Sequence, residues 1–253
     1  MKQPIIFLGA GPGDPELITL KGRRLLDAAD VIVYAGSLVN PALLDGVQAE
    51  IHDSAGMTLD EVLAVLTAAW QADKKVVRLH TGDPALYGAI REQMQRLEQE
   101  GIPYEVVPGV SSAFAAAAAL KAELTVPEIT QTVIFTRISG RTPVPEAESL
   151  PKLAAIRASL CIFLSVGMIE QVAAELVAGG YPAETSAAVV EKASWPDERI
   201  IQGSLADIAA KVQAAGIRKT AMILVGAALS DEAAAASRLY DAGFSHGCRQ
   251  QRR

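Results

Sequence analysis

Ile5-Ile6-Phe7-Leu8-Gly9-Ala10-Gly11-Pro12-Gly13-Asp14-Pro15 joins a short apolar run to a turn rich in glycine. The run reads as a buried strand, and glycines directly behind a first strand mark a backbone that turns sharply or lies against a ligand. A dinucleotide-binding loop is the first reading to test, and three features oppose it. The third glycine of G-x-G-x-x-G would fall on Asp14, whose carboxylate would repel a pyrophosphate. Asp14 followed by Pro15 suits a helix N-cap and first turn instead. The second candidate strand ends Tyr34-Ala35-Gly36, with no acidic side chain placed to hold a ribose hydroxyl. A nicotinamide or flavin enzyme is disfavoured on these grounds.

Outward from this stretch, β-branched runs alternate with helical spacing, the pattern of a largely parallel sheet covered by helices. Strands are expected at 5–8, 31–34, 49–53, 76–79 and 104–107, and helices at 61–70 and 90–100, with Thr58 or Asp60 capping the former. A second set of strands is expected at 132–137, 160–164, 187–191, 200–202 and 221–225. Its helices are expected at 111–121, 169–178 and 205–215, the last capped by Ser204. Fewer helices per strand predict a mixed sheet here. The fold class is therefore α/β with two α/β domains, 1–115 and 116–244. No Pro/Ser/Gly-rich spacer separates them, so the join is rigid and a ligand cleft is expected between them. Pro143, Pro145 and Pro151 mark 141–151 as an ordered loop over that cleft, and the polar 245–253 reads as a frayed tail.

Two further loops follow strands. His80-Thr81-Gly82-Asp83-Pro84-Ala85-Leu86-Tyr87-Gly88 lies where ligands sit in open α/β sheets, at a strand's carboxyl end. Asp83 there could accept from a hydroxyl or attract a cation, or it could cap the helix carrying Ile90 and Met94. Val107-Pro108-Gly109-Val110-Ser111-Ser112-Ala113 imitates the G-x-S-x-A turn of a hydrolase nucleophile. That chemistry needs a later histidine, and the only one is His246 in the polar tail. Ser111 and Ser112 are read instead as N-cap and ligand hydrogen-bonding groups. The histidines show no metal spacing, so no metal site is expected.

Composition narrows the class. Half the residues are apolar and 21% are charged, enough to bury a sizeable core. A formal net charge of -6 with no basic block outside the last few positions argues against a nucleic-acid partner. The longest apolar run, 113–120, falls short of the roughly 20 residues that a bilayer span needs. No signal-peptide pattern opens the chain, which predicts a cytoplasmic protein without membrane partners. Cys161 in an apolar run and Cys248 in the polar tail form neither a disulfide framework nor a metal site.

These loops, in this order on this alternation of strands, resemble the tetrapyrrole methylases, which methylate uroporphyrinogen and corrin precursors. The family's opening appears at 9–22 as GAGPGDPELITLKG, its GDP loop at Gly82-Asp83-Pro84 and its PG(V/I)SS segment at 108–112, and the likeness runs along almost the whole chain. The branch acting on uroporphyrinogen carries an Asp after the tyrosine of the second strand, where this chain has Ala35. YAGSLVN at 34–40, HDSAGM at 52–57, TRISGRTPVP at 136–145, ASWP at 193–196 and GIRKTAMILVG at 216–226 resemble the branch that methylates carbon 11 of precorrin-4. The C-terminal SRLYDAGFSHGCR is closer to its members that act on the cobalt-containing substrate, with metal-free precorrin-4 or another corrin-ring methylation as the alternative.

The resemblance implies S-adenosylmethionine as methyl donor, S-adenosylhomocysteine as product, a tetrapyrrole substrate and a homodimer. Carried over residue by residue, it implies cofactor contacts at Pro12, Thr81, Gly82, Asp83, Leu86, Tyr87, Ser111 and Ser112. From the second half it implies Phe163, Leu164, Ala193 and Ala221. Leu164 and Ala221 also read as ordinary core strand residues. The substrate's carboxylates call for arginines, which bind them bidentately, so Arg91, Arg137 and Arg141 are candidates, with Tyr34, Ser37 and Asn40 nearer the ring. Arg91 reads equally as part of a solvated helix face. No catalytic side chain is assigned, since a sulfonium is already activated and the reaction asks chiefly for alignment.

Overall fold

In the computed structural model, which describes residues 2–36, 38–230 and Ser245, the chain divides into two units. The first comprises Met1–Ala116 together with Lys192–Arg199, and the second Ala117–Glu191 together with the chain from Ile200 on. Ser37, His246, Cys248 and nearly all of the expected tail lie outside the described residues.

The first unit is built on β1 (Ile5–Gly9), β2 (Val31–Tyr34), β3 (Glu50–Asp53), β4 (Val76–His80) and β5 (Tyr104–Val107), in the spatial order β3-β2-β4-β1-β5. Every pairing is parallel, with Ile6 opposite Val77 and Ile5 opposite Tyr104. Such a sheet needs cover on both faces, and the sequence supplies it by period-two alternation. Ile5, Phe7, Val31, Val33 and Val76 pack on one side with Val62, Leu63 and Leu66 of α2 (Leu59–Gln71) and Leu97 of α3 (Arg91–Gln99). Ile6, Leu8, Ile32, Val77 and Leu79 pack on the other with Leu26, Val39 and Leu43. Leu26 belongs to α1 (Leu20–Asp27), a helix the periodicity did not predict. Thr19 caps α1 by accepting from the Gly22 amide, and a Cβ at Gly22 would stand 2.9 Å from Leu8 Cδ1. Thr58, the first of the two expected caps, opens α2 in a capping box with Glu61. The fourth helix, α4 (Ser112–Ala119), follows β5.

The second unit holds β6 (Val133–Arg137), β7 (Ser159–Phe163), β8 (Ser186–Glu191), β9 (Arg199–Ser204) and β10 (Ala221–Val225), ordered β6-β7-β10-β8-β9. β6 and β7 run parallel, whereas β10 is antiparallel to both β7 and β8, giving the expected mixed sheet. Leu160, Ile162, Val189, Ile223 and Val225 form its core with Val172 and Leu176 of α6 (Ile169–Ala178) and Ile208 and Val212 of α7 (Ile208–Ala214). Two local expectations fail here. Part of 141–151 is helical, with a 3-10 turn at Glu146–Glu148 and α5 (Leu150–Ala154), because Pro151 sits in a first turn that needs no amide from it. Ser204 is not the cap of α7: it ends β9, its amide donates to Asp207 Oδ1 at 2.8 Å, and Asp207 holds the N-cap position.

Candidate functional site

Three loops leave the carboxyl ends of the adjacent strands β4, β1 and β5, and glycine lets them meet. The Ala10 amide donates to the His80 carbonyl at 2.7 Å, extending the parallel ladder one step beyond the strands. Gly11 and Gly82 then exchange hydrogen bonds of 3.2 and 2.8 Å. A Cβ on Gly109 would stand 2.1 Å from the Gly82 carbonyl oxygen and 2.8 Å from Gly9 Cα, so no side chain fits at that crossing. Gly11 and Gly82, at φ +79° and +59°, also occupy the left-handed region that glycine enters without a steric cost.

Asp83 fastens this arrangement. Its Oδ1 accepts from the Ala85 amide at 2.8 Å and its Oδ2 from the Gly109 amide at 2.9 Å, tying the loop after β4 to the loop after β5. It does not cap α3, whose N-cap residue is Ile90 with no side-chain bond. Ser111 is buried just before α4, and its hydroxyl accepts from the Ala113 amide at 3.3 Å, as an N-cap would. Pro12, Thr81, Gly82, Asp83, Leu86, Tyr87, Ser111 and Ser112 thus all lie on these three loops or at the start of α4. Tyr87 is 43% exposed and, like Ala89, holds a positive φ, 56° and 49° respectively. Non-glycine residues keep such conformations only where their surroundings over-determine them, commonly around functional sites.

Beneath the loop after β4 sits a polar cluster that sequence reading missed. Arg78 is only 7% exposed and has no carboxylate partner among the described residues. Its guanidinium donates to Gln93 Oε1 at 3.2 Å, the Val33 carbonyl at 3.2 Å and Ser54 Oγ at 3.0 Å. Gln93 in turn donates to the Ala89 carbonyl at 2.9 Å. Burial pushes Arg78 down to about 10, which leaves it charged at neutral pH. His80 is 5% exposed, stacks on Phe7 at 5.9 Å, and has no hydrogen-bond partner at Nε2 among the described residues. Burial, reinforced by the Arg78 charge, pushes His80 down to about 3, so the imidazole is neutral.

The first loop has a cover from far along the chain. Trp195 Nε1 donates to the Pro12 carbonyl at 3.0 Å, and the Asp14 amide donates to Ser194 Oγ at 3.0 Å. Ala193, a cofactor candidate, is buried in this same Lys192–Arg199 segment of the first unit. Asn40 uses its amide locally: Oδ1 accepts from Ala42 at 3.1 Å and Nδ2 donates to the Gly13 carbonyl at 2.8 Å. Tyr34 ends β2 opposite Asp53, whose Oδ1 accepts from the amides of Gly36 and Ala55 at 2.9 and 2.8 Å. Arg91 opens α3 as an exposed side chain.

In the second unit, Phe163 ends β7 beside Arg137, and its ring meets that of Phe135 edge-on at 6.0 Å. Leu164 follows at φ +54° and 66% exposure, so it is not the core residue that its strand suggested. The β10/β7 ladder ends at the pair Ile223 and Ile162, which stand two residues from Ala221 and Leu164 respectively. Arg137 is engaged by its own loop, donating to the carbonyls of Thr142 at 3.0 Å and Pro143 at 2.8 Å. Arg141 is exposed.

Comparison with known proteins agrees with this geometry. A family model described as Tetrapyrrole (Corrin/Porphyrin) Methylases matches residues 4–209. The cobalt-precorrin-4 C(11)-methyltransferase of Methanocaldococcus jannaschii is 55% identical over 248 residues, covering 97% of this chain and 96% of that protein. Among solved structures, the X-ray structure of a cobalamin biosynthetic enzyme, cobalt precorrin-4 methyltransferase, superposes with a TM-score of 0.88 at 49% identity, over 90% of this chain and 96% of the other. Uroporphyrin-III C-methyl transferase from Thermus thermophilus, complexed with S-adenyl homocysteine, gives a TM-score of 0.75 at 31% identity, covering 88% and 92% of the two chains. In fold, in glycine-lined loops and in sequence along nearly its whole length, the chain belongs to the tetrapyrrole (corrin/porphyrin) methylase family.

Proposed function

We propose that this protein is an S-adenosylmethionine-dependent methyltransferase that methylates carbon 11 of cobalt-precorrin-4 to give cobalt-precorrin-5 in cobalamin biosynthesis. The observation that carries this reading is the 55% identity, over nearly the full length of both chains, to a protein of that name. The residues present also fit the methyl donor. The crossing of Gly9, Gly82 and Gly109 leaves backbone, not side chains, at the strand ends, and the hydroxyls of Thr81, Ser111 and Ser112 lie on the same loops. Asp83 brings a carboxylate to that place, where a sulfonium or a ribose hydroxyl would be met favourably.

When bound, S-adenosylmethionine supplies an electrophilic methyl group already activated by positive charge. The chain's own task is then to hold donor and acceptor in line and to keep water away, which can lower a barrier by about 7–11 kcal/mol. Rigid loops suit that task, since Asp83 and the glycine crossing fix loop to loop. Pro12, Thr81, Gly82, Asp83, Leu86, Tyr87, Ser111, Ser112, Phe163, Leu164, Ala193 and Ala221 are proposed to bind the donor. Tyr34, Arg91 and Arg141 are proposed to meet the macrocycle and its carboxylates. Asn40 and Arg137 are proposed to join them; Asn40 also donates to the Gly13 carbonyl, and Arg137 to those of Thr142 and Pro143. We further propose a cytoplasmic protein that forms a homodimer, the latter implied by the family resemblance; Leu20, 87% exposed, is a large apolar side chain that a partner would cover.

Incubation with the methyl donor and either cobalt-precorrin-4 or precorrin-4 tests the reading by mass spectrometry. A gain of one methyl on the cobalt substrate is expected. Turnover of only the metal-free substrate would move the enzyme to the alternative pathway, and no turnover of either would overturn the assignment. For the donor site, Asp83→Asn is expected to weaken S-adenosylhomocysteine binding by about tenfold or more, the scale of one charged hydrogen bond, in a titration calorimeter. Parental affinity in a folded variant would remove Asp83 from the site.

A further inference from the structure

The segment Lys192–Arg199 runs between β8 and β9 of the second sheet, yet it groups with the first unit. Its contacts there fall on the loop after β1. Trp195 Nε1 donates to the Pro12 carbonyl at 3.0 Å, and Ser194 Oγ accepts from the Asp14 amide at 3.0 Å. Between those two bonds lies Gly13, where a Cβ would stand 2.0 to 2.9 Å from three atoms of the Trp195 indole. All three of its nearest neighbours belong to that ring, so Gly13 is a glycine because the Trp195 indole occupies the place of a Cβ.

The segment is itself held in an unusual conformation. Lys192 and Ser194 have φ of +50° and +69°, where non-glycine residues are strained. The Ser194 amide donates to Glu198 Oε2 at 2.7 Å, Lys192 pairs with Asp197, and its ammonium lies 5.6 Å from the centre of the Trp195 ring. These contacts aim the indole and the serine hydroxyl at one short stretch of loop.

We propose that Lys192–Arg199 is a clasp that sets the conformation of the Gly11–Asp14 loop for the methyl donor, with Trp195 as its positioning residue. The inference rests on the reading above that S-adenosylmethionine binds at this loop. The clasp acts by preorganisation: a loop already fixed in its binding form loses no conformational freedom when the ligand arrives. Its effect therefore falls on donor affinity and leaves the bond-making step alone.

Trp195 is one of only two tryptophans, so Trp70→Phe leaves it as the sole indole reporter. In that background, S-adenosylhomocysteine should change the Trp195 emission saturably, with the dissociation constant found by calorimetry. Trp195→Phe keeps a ring over Gly13 but loses the bond to Pro12, and should weaken S-adenosylhomocysteine binding about threefold to tenfold. KM for the methyl donor should rise by the same factor, with kcat and the tetrapyrrole KM unchanged. Gly13→Ala, which drives a methyl into the indole, should weaken binding at least as much. In a Trp195→Ala background, where the ring is gone, Gly13→Ala should cost nothing further. Parental affinity in both Trp195→Phe and Gly13→Ala, or a loss confined to kcat, would overturn the clasp. Failure of the unaltered protein to bind S-adenosylhomocysteine would instead overturn the donor-site reading on which it depends.

Discussion

His80 shows how one side chain can carry a pH dependence without taking part in chemistry. Its imidazole ionises near 6.5 in an unfolded chain but is pushed down to about 3 in the fold. Between those values the unfolded chain holds one more proton than the folded one, so the contribution is complete above about pH 6.5 and drains away as the pH falls toward 3. The slope approaches 1.4 kcal/mol per pH unit for a single group. His80→Phe, which preserves the stack on Phe7, should shrink the stability difference between pH 7 and pH 4.5 by about 2–3 kcal/mol in urea unfolding. An unchanged difference would mean that other groups govern the acid limb. Asp83 was legible in the sequence because its loop follows a strand, although its two backbone partners were not. Arg78 was not legible at all and Trp195 only as a letter of the ASWP segment, since what makes them notable is the company they keep 15 to 183 residues away.

Individual elements were read well where one pattern dominated. All ten strands stand within a few residues of their expected places, because β-branched runs bounded by glycine or polar residues leave little choice. α1 escaped because Gly22 and two arginines break its apolar rhythm, and Gly22 answers to Leu8 packing rather than to helix propensity. Ser204 was misread since a serine before an apolar run resembles a cap, whereas the extension of β9 had prior claim on it. Of the two caps the sequence offered, Thr58 and Asp60, the structure uses Thr58, because Glu61 three residues on closes a capping box with it. Thr58→Ala should therefore lower the stability of the first unit by about 1 kcal/mol, measured as a shift in urea midpoint with unaltered cooperativity. No shift would show that solvent satisfies the α2 amides equally well.

For the molecule as a whole, alternation in the sequence implied two α/β sheets but not the strand order β3-β2-β4-β1-β5, which depends on pairings far apart in the chain. The same order brings three glycine loops side by side, so ligand binding there should stabilise the folded state by mass action. S-adenosylhomocysteine at a hundred times its dissociation constant should add about 2.7 kcal/mol, seen as a rise in thermal midpoint. A midpoint indifferent to ligand would count against these loops as the donor site. The clasp has a last consequence, for biosynthesis. Ribosomes deliver the five strands of the first sheet by Val107, but the indole that covers Gly13 emerges only about 90 residues later. Until then the nascent chain displays an uncovered glycine turn, and competence to receive a cofactor must await synthesis of most of the second half.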